Sequence, residues 1–244
     1  MEVIVHRGAN KVAPENTQAS AEACIALGMD FVEIDVRLSK DEIPFILHDR
    51  SVDRTTNGTG LINELRSDQI DQLDAGSWFD QKFAKQTVPR LEKYLFWIRG
   101  KSKVFLDMKD KLLHGKNLQT VVDLVYKTKM EKDCFFGFQD STKDSSRAKE
   151  LSEIAPELIL KINADTQEEV RKAKSHYNAN IVETSNQNFN RDYQNICRDL
   201  NLKSMIYEAN WNEDLIKQTL RSGADLINLD DPHLFLKIRN EFAG

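Results

Sequence analysis

Short β-rich runs alternate with helix-forming stretches from one end of the chain to the other, and this alternation narrows the choice of fold more than any other feature. The runs are Val3–His6, Phe31–Arg37, Val104–Lys109, Cys134–Phe138, Leu158–Ile162, Ile181–Ser185, Ser204–Glu208 and Leu226–Leu229. Strand and helix in strict turn predict βαβ units and a parallel sheet. Eight such runs predict a closed α/β barrel, the (β/α)8 TIM barrel, rather than an open sheet. Such a barrel takes roughly 250 residues, so a chain of 244 residues is expected to form one domain over 1–244.

The helices between the runs carry recognisable boundaries. Thr166 followed by Glu169 is a capping box ahead of an apolar face at Val170, Ala173 and Tyr177. Asn212 caps a helix that presents Leu215, Ile216 and Leu220 and stops at Gly223, Gly28 ends the first helix, and Pro232 opens the last. One stretch breaks the rhythm. From about 50 to 89 the chain is turn-rich, with Arg54-Thr55-Thr56-Asn57-Gly58-Thr59-Gly60 and Asp74-Ala75-Gly76-Ser77-Trp78-Phe79. A loop this long inside a compact domain is usually functional or disordered. Trp78, Phe79 and Leu73 give it something to pack, so an ordered insertion over one barrel rim, following the second strand region, is expected.

A net charge of −5 provides no basic field, which argues against a nucleic-acid or anionic-membrane partner. An anionic ligand must instead be held by a metal or by a few placed cations. Cys24, Cys134 and Cys197 are odd in number and far apart, and read as buried reduced thiols. No apolar run reaches the length of a membrane span, and the N-terminus goes straight into a strand without a signal-like segment. A cytoplasmic protein is expected.

The second strand places chemistry inside the barrel. Alternation sends Val32, Ile34 and Val36 outward and Glu33 and Asp35 inward. The third repeats the pattern, with Val104, Leu106 and Met108 outward and Phe105, Asp107 and Lys109 inward, near the C-terminal strand ends where barrel active sites lie. Buried carboxylates need compensation. Pairing with Arg or Lys is one solution, and a cation on Glu33, Asp35 and Asp107 ranks above it. Three oxygen donors without thiolate or imidazole suit Ca²⁺ or Mg²⁺. Lys109 can pair with the carboxylates, hold a phosphate, or do both.

His6 ends the first strand and is followed by Arg7-Gly8, and His48 ends the apolar run Ile43-Pro44-Phe45-Ile46-Leu47. A lone histidine in either place would read as structural. Two at the rim that holds three carboxylates, Arg7 and Lys109 read as an acid/base pair for phosphodiester hydrolysis. His114, His176 and His233 lack such company and read as surface or structural residues.

Taken in order, His6-Arg7-Gly8, Pro14-Glu15-Asn16-Thr17, Glu33-Ile34-Asp35-Val36, and His48-Asp49 with Arg54-Thr55-Thr56 resemble the signature of glycerophosphodiester phosphodiesterases. The 48–91 stretch is similar to that family's insertion, and Gly223–Pro232 to its last strand and turn. The resemblance implies metal-dependent hydrolysis of a small-molecule glycerophosphodiester to glycerol 3-phosphate and an alcohol. Glu33, Asp35 and Asp107 would be the ligands of one Ca²⁺ or Mg²⁺, His6 and His48 the acid/base pair, and Arg7 and Lys109 the phosphate contacts. Asn16-Thr17 fits a helix start beside the site, and simple N-capping explains it equally well. The chain departs from the family pattern at Asp107, where glutamate is usual, and at Tyr207-Glu208-Ala209-Asn210, where an acidic residue at the rim would alter the alcohol pocket. The competing readings are a lysophospholipase D-like or phosphoinositide-cleaving phospholipase on the same barrel, and a non-catalytic module that binds a phosphorylated ligand.

Overall fold

A computed structural model describes residues 1–138 and 146–243. Its strands are β1 (Glu2–Val5), β2 (Phe31–Leu38), β3 (Pro44–Ile46), β4 (Lys103–Met108), β5 (Cys134–Phe138), β6 (Ile159–Asn163), β7 (Ile181–Thr184), β8 (Lys203–Tyr207) and β9 (Leu226–Leu229). The helices are α1 (Gln18–Ala26), α2 (Ser67–Ile70), α3 (Leu91–Ile98), α4 (Lys116–Lys127), α5 (Ser146–Ile154), α6 (Gln167–Tyr177), α7 (Arg191–Asp199), α8 (Glu213–Ser222) and α9 (Pro232–Ala243). The sheet runs β1-β9-β8-β7-β6-β5-β4-β2-β3, and pairing of β1 with β2 closes it. Eight parallel strands therefore form the expected TIM barrel, with helices on its outer face.

The ninth strand, β3, is a departure from the sequence reading. It folds back antiparallel along the outer end of β2, with Val36 opposite Ile46 and Leu38 opposite Pro44. Three residues are too few to show a period, which is why the run before His48 did not read as a strand.

Alternation decides what each barrel strand contributes. Outward side chains of β2 and β4, among them Val32, Ile34, Leu106 and Met108, join the layer under the helices. Inward ones form a plug of Ile4, Phe31, Phe105, Phe135, Ile181, Met205 and Leu226. Phe105 stacks on Phe135 at 4.4 Å, and Phe31 meets Phe135 edge-on at 5.3 Å. Each such buried side chain contributes about 1.5–3 kcal/mol. The plug seals the barrel floor, so polar inward residues gather above it at the C-terminal strand ends. Gly137 on β5 makes room there, since a Cβ at that position would come 2.7 Å from the Phe105 ring and 2.8 Å from Lys161 Cε.

The helix boundaries behave as read. Thr166 and Glu169 form a reciprocal capping box, Asn212 accepts from the Leu215 N–H, and Gly223 ends α8 with φ 78°. Residues 50–89 are ordered, as expected, around a small core of Phe45, Val52, Ile62, Ile70 and Val88. Trp78 is not part of that core. It is 40% exposed, with its indole N–H on the Ala75 carbonyl at 2.9 Å. Phe79 lies half-buried between Trp78 and Phe83. The aliphatic residues before and after the turns fill the core instead. All three cysteines are free and buried. Among the described residues, no helix is long and apolar enough to cross a membrane.

Candidate active site

A cavity of about 250 Å³ opens at the C-terminal ends of the strands, with His6, Arg7, Glu33, His48, Asp107 and Lys109 among its walls. Asp35, fully buried, lies just behind, within reach of Arg7 and Lys109. The structure thus brings the seven expected metal, acid/base and phosphate residues, Glu33, Asp35, Asp107, His6, His48, Arg7 and Lys109, to one place. His114, His176 and His233 are exposed and elsewhere.

Each imidazole is fixed from behind. His6 follows β1, and its Nδ1 lies 2.7 Å from Asp230 Oδ1 at the end of β9. Asn10 donates to the same oxygen at 3.2 Å and to the His6 carbonyl at 2.8 Å. His48 reaches the rim because β3 turns back along β2, and its Nδ1 lies 2.7 Å from Asp49 Oδ1. Arg37, the next inward residue of β2 after Asp35, donates to the His48 carbonyl at 2.7 Å. With Nδ1 engaged, each ring has Nε2 left for a ligand in the cavity.

Behind His48, Arg54 donates to Asp49 through Nε at 2.6 Å and to both oxygens of Glu15 at 2.8 Å. Arg7 donates to Glu15 at 3.2 Å. Arg7 has φ 59° and Gly8 φ 75°, a left-handed pair that turns the Arg7 N–H onto Glu33 Oε2 at 2.6 Å. A Cβ on Gly8 would meet Ser20 at 2.4–3.0 Å. Asn16, also left-handed at φ 59°, clasps Asp35 from both sides: its Nδ2 donates to Asp35 Oδ2 at 2.7 Å and its Oδ1 accepts from the Asp35 N–H at 3.2 Å. Thr17, not Asn16, caps α1. N-capping accounts for Thr17 alone, and Asn16 belongs to the carboxylate cluster.

Electrostatics pushes the two histidines apart. Burial lowers the basicity of His6, but the Glu33 carboxylate and the Asp230 bond more than offset it, so its pKa is raised. Burial also lowers His48, and Asp35 and Asp49 do not make up the loss, so its pKa falls. Burial, with Asp35 alongside, pushes Glu33 up to about 8. Burial would raise Asp35 too, yet Lys109, His48, Arg7 and the Asn16 bond hold it below the usual carboxylate range.

Glu33, Asp35 and Asp107 each offer an oxygen, all within 4.8 Å of one another. Lys109 pairs with Asp107 at 2.5 Å and lies 3.3 Å from Asp35. Even so, Glu33 Oε1, Asp35 Oδ1 and Asp107 Oδ1 are buried without a hydrogen-bond partner. Unpartnered buried carboxylate oxygens are costly, and a divalent cation would satisfy all three at once. The residues present therefore fit an oxygen-ligated metal. Asp107, though a methylene shorter than glutamate, still reaches the cluster.

The chain matches a family model described as the glycerophosphoryl diester phosphodiesterase family over residues 6–234. The chain belongs to that family. A glycerophosphodiester phosphodiesterase from Caldanaerobacter subterraneus subsp. tengcongensis is 46% identical over 89 residues, which are 36% of this chain and 37% of that one. The chain spans less than half the length of the first curated relatives it matches. Solved structures match far more completely. A glycerophosphodiester phosphodiesterase from Agrobacterium tumefaciens superposes with a TM-score of 0.87 at 34% identity, covering 97% of this chain and 99% of that one. A phosphodiesterase from Oleispira antarctica, solved in complex with the product sn-glycerol-3-phosphate, gives 0.86 at 27% identity, covering 98% and 97%.

Glu208, expected to alter the alcohol pocket of this family member, does not line the cavity. It follows the inward Tyr207, points to the other side, and accepts from the Asn186 N–H at 2.6 Å. The acidic residue on that side of the cavity is Glu183, with Lys161 beside it. Asp49, Asp230, Glu15 and Arg54 also went unassigned in the sequence reading. All four stand in the quoted motifs or the last-strand turn, so their presence was visible although their partners were not. Asp230→Asn is expected to lower turnover of a glycerophosphodiester by roughly 10- to 100-fold, the usual effect of removing a carboxylate that orients a functional imidazole. Steady-state rates alongside a melting curve check this, and an unchanged rate in a folded variant would remove Asp230 from the site.

Proposed function

We propose that this chain, as one barrel domain over 1–244, hydrolyses glycerophosphodiesters to glycerol 3-phosphate and an alcohol with the help of one divalent cation, Ca²⁺ or Mg²⁺. The observation that carries the reading is the convergence of two aspartate-anchored imidazoles and a three-carboxylate cluster on one polar cavity. A cation held by Glu33, Asp35 and Asp107 would supply Lewis-acid charge to the non-bridging oxygens. The side chains account for the remaining needs of the reaction. Arg7 and Lys109 add positive charge beside the phosphate. His48, whose surroundings favour the neutral ring, accepts the proton of the attacking water. His6, whose surroundings favour the imidazolium, donates to the departing alkoxide.

A phospholipase acting on lysophospholipids or phosphoinositides would use the same groups. The cavity speaks for the smaller polar substrate: among the described residues that line it, all but Phe105 and Tyr207 carry a charged, imidazole or amide group, and Trp78 and Phe79 are not among them. A purely binding module has no use for two imidazoles held apart in basicity. Glycerophosphocholine is expected to turn over faster than lysophosphatidylcholine in parallel assays of choline release. Faster turnover of the lipid would overturn the substrate assignment.

A further inference from the structure

A second cavity, of about 310 Å³, lies where β2, the start of the 50–89 insertion and the segment after β4 meet. Among the described residues it shares only Lys109 with the catalytic cavity. Its walls combine three cations, Arg37, Arg50 and Lys111, with the aliphatic Leu61, Ile62 and Leu112. None of these cations forms an ion pair with a described residue. Lys109 is bonded to Asp107 and Asp35, and the Asp110 carboxylate takes the Leu112 N–H at 3.0 Å. Arg37 is 8% exposed, and its Nε is taken by the His48 carbonyl. Its two terminal nitrogens have no partner among the described residues and, unlike the atoms sealed in the core, they open onto the cavity. A guanidinium presented in this way matches the paired oxygens of a carboxylate or phosphate. The surrounding backbone is itself held. The Ile62 N–H donates to the Arg50 carbonyl at 2.9 Å and Ser51 pairs with Leu61, which sets Arg50 beside Leu61. The Lys109 N–H donates to the Val36 carbonyl at 3.1 Å and Arg147 donates to the Asp110 carbonyl, which fixes the loop carrying Lys111 and Leu112. Leu61 is 41% and Leu112 47% exposed, so two separate segments each leave a large apolar side chain in water beside the cations.

We propose that this cavity is a second ligand site, for a small amphiphilic anion: a carboxylate or phosphate head group on a short aliphatic chain. The head group pairs with Arg37, Arg50 and Lys111, and the chain covers Leu61, Ile62 and Leu112. Charge selects the head group, because the cations outnumber Asp110 and a neutral or cationic ligand would leave them uncompensated. The apolar walls select the chain, since covering them removes aliphatic surface from water. The site goes beyond the hydrolysis proposed above and does not depend on it.

Isothermal titration of the Mg²⁺-supplemented protein with hexanoate and with hexyl phosphate tests the site, with acetate and hexylamine as controls. At least one of the two amphiphilic anions is expected to bind roughly tenfold more tightly than either control, and the tighter one identifies the head group. Arg50→Ala combined with Lys111→Ala is expected to weaken that anion by roughly tenfold, and Leu112→Ser, which leaves the charge alone, by about threefold. All three residues are exposed, so the melting curves of both variants should match the wild type. Binding no tighter than that of the controls, or an affinity unchanged in either variant, would overturn the site.

Discussion

Replacing His48 with alanine is expected to lower the rate of glycerophosphodiester hydrolysis by roughly 10²–10⁴, the range for loss of a general acid or base. The fold should tolerate the change. His48 is only part-buried, its ring is hydrogen-bonded to Asp49 alone among the described residues, and the atom that holds Arg37 is its backbone carbonyl. Asp49 keeps its bonds to Arg54 in the variant. The loss should therefore fall on kcat, with KM and the melting temperature close to wild type. Hydrolysis at the wild-type rate would take His48 out of the reaction, and a rise in KM alone would make it a binding residue.

Removing the metal should have an effect at least as large. Dialysis against EDTA is expected to abolish turnover, and Ca²⁺ or Mg²⁺ to restore it. The ion should also stabilise the fold, by about 2.7 kcal/mol at a hundred times its dissociation constant, and Asp35→Asn should remove that gain. The pH dependence follows from Glu33. Its folded-state pKa is raised from 4.5 to about 8, so without a cation the native state holds a proton that the unfolded chain gives up. Stability of the metal-free protein from this group is fully present below the unfolded value and is lost as pH rises through that window. A bound cation needs the carboxylate ionised, so the metal-induced rise in melting temperature should grow from pH 5 to pH 8. Full activity after chelation, or a melting temperature indifferent to both ions, would mean that the carboxylates serve only to pair with Arg7 and Lys109.

How far the sequence could be read depended on periodicity. Alternation along Phe31–Arg37 and Val104–Lys109 separated outward Val32, Ile34, Leu106 and Met108 from inward Glu33, Asp35, Asp107 and Lys109, because a side chain in a strand has only two faces to choose between. The same rule applied to Leu158–Ile162 and Ile181–Ser185 places Lys161 and Glu183 inward, so those two were legible and passed over. The partners of the histidines were not legible in that way. Asp49, Asp230, Glu15 and Arg54 stand in loops, where nothing in the local pattern says which distant group a side chain meets. Asp230 lies 224 positions from His6 in sequence, and only the pairing of β1 with β9 brings it within 2.7 Å. Trp78 misled for a related reason: an aromatic residue in a turn-rich insertion reads as core, whereas Val52, Ile62, Ile70 and Val88 fill that core from either side.

The most direct measurement is the identity of the products that the wild-type protein releases from glycerophosphocholine in the presence of Mg²⁺ or Ca²⁺. Glycerol 3-phosphate and choline in equal amounts are the expected result. Phosphocholine and glycerol, or no turnover with either ion, would contradict it.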